Sequence, residues 1–384
     1  MKVIVVGSGI VGASVAWHLA EAGVDVVVAD DGRVGRATWA GAGIVSAPGR
    51  RYGADTPGFE LAAAAFRTYP SIVERLGLGN GAGEVWEVIG ELHVAPPGRE
   101  LDEVGERLAA LEADGLHAPG TVRRLDPAGT SALWPWLRPD LAAVHVASTG
   151  RVSGEAMRLA LLRAAVARGA TVLTGPAALL AGAAGSIGAA VSGRAGGSVE
   201  VTVGGELVAG DAVVVAAGAW SAELLRPLGV DLPVVPQRGQ ILHLSVAGVD
   251  TRLAPVVHPI GAEHYLLPFP DGRIVVGATR ETGSGYDPRL TAGGVAQVLN
   301  DALSVAPGLA DATLVDLRVG LRPASPDGLP WLGPVPGRPW LWVATGMGPS
   351  GLTLGPYGGS LVADALLGRP LAVDLAPFAL DRRL

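Results

Sequence analysis

The chain has no cysteine, which excludes disulfides, thiolate metal sites and cysteine nucleophiles and leaves the redox compartment unreadable from thiols. It has almost no lysine: Lys2 is the single one, and the remaining basic residues are arginines. Blocks of like charge are missing too. The formal net charge of -7 is spread along the chain, which argues against nucleic acid as a partner. No stretch reaches about 18 apolar residues without glycine or charge, so no membrane span is expected and the cytoplasm is the expected location.

Glycine is abundant, 57 in 384 residues, and the first few organise the opening stretch. Val3 to Val6 is a β-branched run suited to a strand buried on both faces. Gly7, Gly9 and Gly12 follow with G-x-G-x-x-G spacing. Gly7 allows the tight turn, Gly9 lets backbone approach a pyrophosphate, and Gly12 lets helix and strand pack closely. The helix pattern, from Ile10 and Val11 to Ala22, turns its unpaired N–H groups toward the phosphates. Val24 to Ala29 is a second buried strand. Asp30 at its end, with Asp31 as the fallback, stands where an acid would bind a ribose hydroxyl. Strand, glycines, helix, strand and acid in this order point to dinucleotide binding; a plain βαβ unit is the structural alternative. A secretory leader would not carry these glycines inside its apolar run.

The length supports two domains. Small residues dominate Gly32 to Ala47, so backbone there can lie close to something flat or charged. Helices are expected at Phe59 to Leu76, Arg99 to Asp114 and Glu155 to Arg168, and strands at Glu84 to Ala95, Ala143 to Ala147 and Thr171 to Thr174. Ala181 to Ser198 reads as a mobile hairpin loop. Asp211 to Ser221 is a buried strand running into Ala217-Gly218-Ala219-Trp220. Leu232 to Ala278 is β-rich and cut by proline and glycine, an antiparallel meander suited to roof a pocket. A helix, Thr291 to Ser304, and a strand, Leu314 to Leu321, lead to Arg322. The strand Trp340 to Ala344 then enters Gly346-Met347-Gly348-Pro349-Ser350-Gly351 and a helix to Leu367, repeating the opening pattern of strand, glycine turn and helix N-terminus.

These motifs, in this order from Met1 to Gly368, resemble the flavoprotein amine oxidase family that holds D-amino acid oxidase, glycine oxidase, sarcosine oxidase and D-amino acid dehydrogenases. The fold expected is α/β. A Rossmann-like FAD-binding domain with a mixed parallel sheet would use residues 1–80, 145–225 and 323–384. A discontinuous antiparallel-sheet substrate domain would use 81–144 and 226–322. The cofactor implied is FAD, held without a covalent link, since the chain has no cysteine and the loop from Thr38 to Ile44 has no histidine. In the family that loop, here Thr38, Trp39, Ala40, Gly41, Ala42, Gly43 and Ile44, lines FAD between pyrophosphate and ring. The resemblance puts the Ala178 backbone against the adenine, and Ala217, Gly218 and Trp220 at a second flavin turn. It puts the final turn, Gly346 to Gly351 with Leu352 and Thr353, at the N1/O2 side of the ring, where a helix N-terminus stabilises negative charge.

Arg322 lies in GLRPASPDGLPWLG, which resembles the segment whose arginine grips the substrate carboxylate. A planar guanidinium binds a carboxylate bidentately and so fixes the α-carbon; a structural ion pair is the alternative. Tyr265, in HYLLPF, matches a tyrosine that helps hold the carboxylate in glycine oxidase relatives, or else is a core aromatic. His243, His258 and His264 fit no metal spacing and are expected in the core or at its rim. Arg50 and Arg51 could touch an acidic substrate, though a solvated loop is expected.

The implied reaction is oxidative deamination of a small amino acid, D-configured, glycine-like or N-substituted. Hydride passes from Cα to flavin N5, and the imine hydrolyses to a 2-oxo acid. No protein base is required, because the flavin supplies the redox chemistry. Two departures bear on substrate and acceptor. Glycine oxidases often carry histidine and arginine where Met347 and Pro349 stand. Monomeric sarcosine oxidases use a cysteine tether and lysines near the ring, one of them where Thr353 stands. The electron acceptor stays open between oxygen, a quinone and a carrier flavoprotein. Competing readings are a 2-hydroxy acid oxidoreductase, which would need a base, and a flavin electron-transfer subunit of a hetero-oligomer. The later glycine turns argue against an NAD(P) dehydrogenase.

Overall fold

The structure is a computed structural model and describes residues 1–48, 56–78, 85–179 and 199–383. Arg50, Arg51 and the loop Ala181 to Ser198 lie outside the described residues.

The run Val3 to Val6 forms the centre of a six-stranded sheet. Its strands lie in the order Trp331–Val335, Arg338–Thr345, Ala212–Val215, Lys2–Val6, Asp25–Asp30, Thr171–Thr174. All neighbours are parallel except the outermost pair, Trp331–Val335 with Arg338–Thr345. Strand alternation splits the first run between two cores. Val3 and Val5 meet the helices Ile10–Glu21, Gly154–Val166 and Gly351–Leu366, whereas Ile4 and Val6 meet the three-stranded sheet Ala177–Leu179, Val199–Val203, Glu206–Gly210. Each of these four side chains is at most 3% exposed, and full burial of one is worth about 1.5–3 kcal/mol.

From Lys2–Val6 the chain moves first to Asp25–Asp30 on one side, and much later to Ala212–Val215 on the other. This reversal is a topological switch point, where open α/β sheets leave a crevice at the carboxyl ends of their strands. Gly7 and Ala216 stand there.

A nine-stranded sheet draws its strands from residues 91–146 and 235–324. The expected domain boundaries at 144/145 and 322/323 cut through two of them, Ala142–Val146 and Thr313–Ala324. Thr313–Ala324 pairs along its length with Val235–Ser245, and the helix Ala292–Val305 packs on this sheet. Leu321 N donates to Gly35 O at 2.8 Å, stapling this strand to the loop that follows the first βαβ unit. The stretch expected as one strand from Glu84 to Ala95 is two among the described residues, Trp86–Val88 and Glu91–Ala95. Between them Gly90 adopts φ 78°, and the Ile89 and Gly90 N–H groups both donate to Thr149 O at 2.9 Å. No helix among the described residues is long and apolar enough to cross a membrane.

Candidate functional site

The first glycine turn is shaped by close approach. Gly7 adopts φ 102°, and a Cβ there would collide with the Ala216 backbone; one at Gly12 would strike the Gly7 carbonyl. Gly9 is the N-cap of Ile10–Glu21 and gives it no side-chain hydrogen bond. Thr38 Oγ1 accepts from Ile10 N at 3.0 Å, tying the small-residue loop to the helix start. Arg158, held by Glu155, donates to Ser8 Oγ at 3.2 Å and buttresses the turn.

Asp30 closes the second strand. Its Oδ2 accepts from Ser8 N at 2.6 Å and its Oδ1 from Gly32 N at 2.7 Å, with Arg36 Nη1 3.9 Å away. Burial works against its charge, but the hydrogen bonds from Ser8 and Gly32 and the Arg36 cation hold it below the ordinary aspartate value. It remains an ionised acceptor at neutral pH.

A cavity of about 880 Å³ runs from this turn to the large sheet, toward the large end of ligand sites, about 300–1,000 Å³. Gly7, Gly9, Ile10 and Val11 form its first wall, with Asp30 and Asp31 beside them. Thr38, Ala40, Gly43 and Ile44 of the small-residue loop line it, as do Ala217, Gly218 and Trp220 of the second turn. The final turn contributes Met347, Gly348, Pro349, Ser350 and Gly351, followed by Leu352 and Thr353. Hydrogen bonds tie the turns together: Thr345 Oγ1 donates to Gly218 O at 2.9 Å and Thr353 Oγ1 to Ile44 O at 3.3 Å. Ser350, N-cap of Gly351–Leu366, makes no side-chain capping bond, so the positive end of this helix dipole also meets the cavity.

Four residues expected at the cofactor are off this wall. Gly12 packs behind the turn against Gly7 and Ala216, and a Cβ at Gly346 would press on Trp331. Trp39 turns outward, its ring centroid 4.9 Å from the Arg318 guanidinium. Ala178 is paired with Thr202 in the three-stranded sheet, while Ala177 and Gly175 reach the cavity.

At the far end stands Arg322. Its Nη1 donates to Thr279 O at 3.0 Å, and its guanidinium lies over Gly239, where a Cβ would sit 2.5 Å from Cζ. Tyr265 lines the same end. Burial pushes its phenol up to about 12, against the opposing charges of Arg322 and Arg280, so it is a hydrogen-bond donor at neutral pH.

His258 also lines the cavity, with its Nε2 3.4 Å from the buried Glu91 carboxylate, which His93 Nε2 meets at 3.1 Å. Burial disfavours the Glu91 charge, but the charge of His93 and the hydrogen bonds from both histidines hold it well below the usual range. His243 and His264 are not on the wall. Burial and the Arg318 and Arg273 charges lower His243 to about 4. Among the described residues no group of three or more acids and histidines is placed to hold a metal ion.

Sequence reading missed Arg280, Glu263, Arg33, Arg36 and the Ser325 to Gly328 turn, all on the wall. The turn lies within GLRPASPDGLPWLG, and Arg33 and Arg36 within the loop Gly32 to Ala47, but only the arginine of the first and the small residues of the second are singled out by the sequence; Arg280 and Glu263 belong to no local motif. Arg280 and Glu263 flank strands whose pairing, Tyr265 opposite Gly277, brings them together.

Residues 2–365 match the family described as DAO, FAD dependent oxidoreductase. The chain is 40% identical over 376 residues to the uncharacterized oxidoreductase YurR of Bacillus subtilis, covering 98% of this chain and 97% of that one. It is 35% identical over 389 residues to a glycine oxidase of Pseudomonas putida, covering 100% and 99%. The crystal structure of iminodiacetate oxidase from Chelativorans sp. BNC1 superposes with a TM-score of 0.89 at 40% identity, covering 98% of each chain.

Proposed function

This chain belongs to the DAO family of FAD-dependent oxidoreductases, and on that footing we propose that it oxidises a small carboxylate-bearing amine at the carbon between nitrogen and carboxylate. The cradle fits FAD. Gly9 faces the cavity with bare backbone, and a Cβ at Gly218 would meet nothing within 4 Å. The start of Ile10–Glu21, whose N-cap Gly9 brings no side chain, suits a pyrophosphate, and the ionised Asp30 suits ribose hydroxyls. With no cysteine in the chain and no histidine in the loop from Thr38 to Ile44, the reading has the cofactor held non-covalently.

The observation that carries the reading is Arg322, aimed into the cavity over Gly239 and tethered to the Thr279 carbonyl. Its fork binds the substrate carboxylate, and the Tyr265 hydroxyl donates to the same group. The positive charges of Arg322 and Arg280 disfavour an ammonium nearby, so the amine is held neutral with its lone pair available. FAD, when bound, supplies the two-electron acceptor for the α-hydrogen and its bonding pair. Water then hydrolyses the resulting C=N bond, giving a 2-oxo acid and an amine or ammonia. Relatives named glycine oxidase and iminodiacetate oxidase support an amine donor.

Anaerobic mixing of the flavin-loaded protein with glycine, N-substituted glycines, D-amino acids and 2-hydroxy acids tests this. Bleaching of the flavin by an amine-bearing acid, and not by its hydroxy counterpart, is expected. Bleaching only by a 2-hydroxy acid would overturn the proposal, and no bleaching by any of them would favour an electron-transfer subunit.

A further inference from the structure

Arg33 and Arg36 line the cavity beside Asp30 and Asp31, whereas near Arg322 and Tyr265 the wall carries a second guanidinium, and it is held differently. Arg280 pairs with Glu263 on the turn before Tyr265, and the two side chains are 36% and 69% exposed. Thr279, its neighbour in the chain, is the residue whose carbonyl accepts from Arg322. The two cations are therefore anchored at adjacent points of one segment, and the Tyr265 phenol feels both charges. The remaining acids on the wall are engaged elsewhere: Asp30 at the first glycine turn, Asp31 with Arg33, Asp327 with Arg382.

An exposed arginine–glutamate pair contributes little by itself and exchanges readily. A ligand already fixed at Arg322 presents any second anionic group to Arg280 at high effective concentration. A single carboxylate lacks that advantage and leaves Glu263 where it is.

We propose that Arg280 is the subsite for a second substrate carboxylate, occupied by Glu263 until substrate arrives, and that the chain selects amines bearing two carboxylates over those bearing one. This deepens the reading above and rests on Arg322 as anchor of the first carboxylate. It also gives the turn bearing Glu263 a role as an internal competitor, which sets how strongly the second carboxylate is rewarded.

The test uses the FAD-loaded protein and two ethers that have no amine to oxidise, oxydiacetate with two carboxylates and methoxyacetate with one, titrated calorimetrically. Oxydiacetate should bind more tightly by about ten-fold or more. Arg280→Ala should bring the ratio of the two affinities toward one, and Glu263→Gln should raise it several-fold by removing the competitor. Equal affinities in the parent, or a ratio that survives Arg280→Ala, would overturn the subsite. Should Arg280→Ala fail to retain flavin, Glu263→Gln decides alone, and an unaltered ratio there counts against the proposal. Because neither ether is turned over, a failure of amine oxidation is seen only in the bleaching experiment and is not confused with a failure of this subsite.

Discussion

Gly239→Ala offers a sharp test of how the substrate end works, because it removes no charged group and only displaces one. Gly239 is an interior strand residue without a left-handed φ, so alanine meets no backbone penalty there. The added Cβ would lie 2.5 Å from Arg322 Cζ, where ordinary contact begins at 3.4 Å, so the guanidinium must retreat by about 1 Å. The obstacle is the far end of a flexible side chain, so the fold absorbs it. Alanine for glycine in a strand even favours stability by about 0.5–1 kcal/mol. Positioning suffers instead: a displacement of about 1 Å at a reacting complex can cost about 100-fold in rate. Stopped-flow flavin reduction under anaerobic conditions should therefore fall by roughly that factor in its second-order limit, with the melting temperature unchanged or slightly higher. The same substitution in an Arg322→Ala background should then have little further effect, since coupled residues are not additive. Undiminished reduction by Gly239→Ala would refute the idea that Arg322 must sit over this glycine. A full loss that persists in the Arg322→Ala background would show that the methyl group blocks the cavity by itself.

Arg322→Ala should cost substrate binding about 2–5 kcal/mol and Arg322→Lys less, with FAD retained in both; equal saturation of parent and Arg322→Ala would leave Arg322 structural. Asp30→Ala should weaken FAD retention, measured by dialysis and flavin fluorescence, while substrate saturation of the loaded protein changes little; unaltered FAD affinity would move the ribose contact elsewhere, with Asp31 the next candidate. Denaturation should release yellow FAD into the supernatant, and colour remaining with the precipitated chain would contradict non-covalent binding. The Tyr265 phenol, raised to about 12, binds its proton more tightly in the folded chain than in the unfolded one. The stability it contributes is thus whole below the ordinary tyrosine value, about 10, and is lost as pH climbs through about 12. The alkaline fall in melting temperature should be shallower in Tyr265→Phe than in the parent, and identical slopes would count against that shift.

The parts of the fold legible in the sequence are those whose physics is local. A buried strand, a glycine turn, a helix and a second strand follow one another without a break between Lys2 and Asp30, so Gly7, Gly9 and Asp30 could be singled out from spacing alone. The break at Gly90 was hidden because apolar alternation continues through it, and only the Thr149 carbonyl, distant in sequence, draws two N–H groups to one point. Trp39 sits in a loop that does line the cavity, yet its ring turns away to Arg318, a residue brought near by a strand almost 280 positions later. Arg280 and Glu263 fail to announce themselves for the same reason. Their partnership depends on the register of Tyr265–Pro268 against Arg273–Gly277, and no short motif encodes a register.

The position of Lys2–Val6 at the heart of its sheet has a consequence for synthesis. One edge is covered early, by Asp25–Asp30, but the other waits for Ala212–Val215, which begins 206 residues after Val6. At translation rates of about 5–20 residues per second, that edge stays open for roughly 10–40 s. Beyond it, Ala212–Val215 itself waits for Arg338–Thr345. An apolar strand with a free edge is a template for pairing with other chains, and here several nascent chains on one messenger would display it together. The pace of synthesis and shielding of the young chain then bear on recovery of soluble protein, apart from the stability of the finished fold.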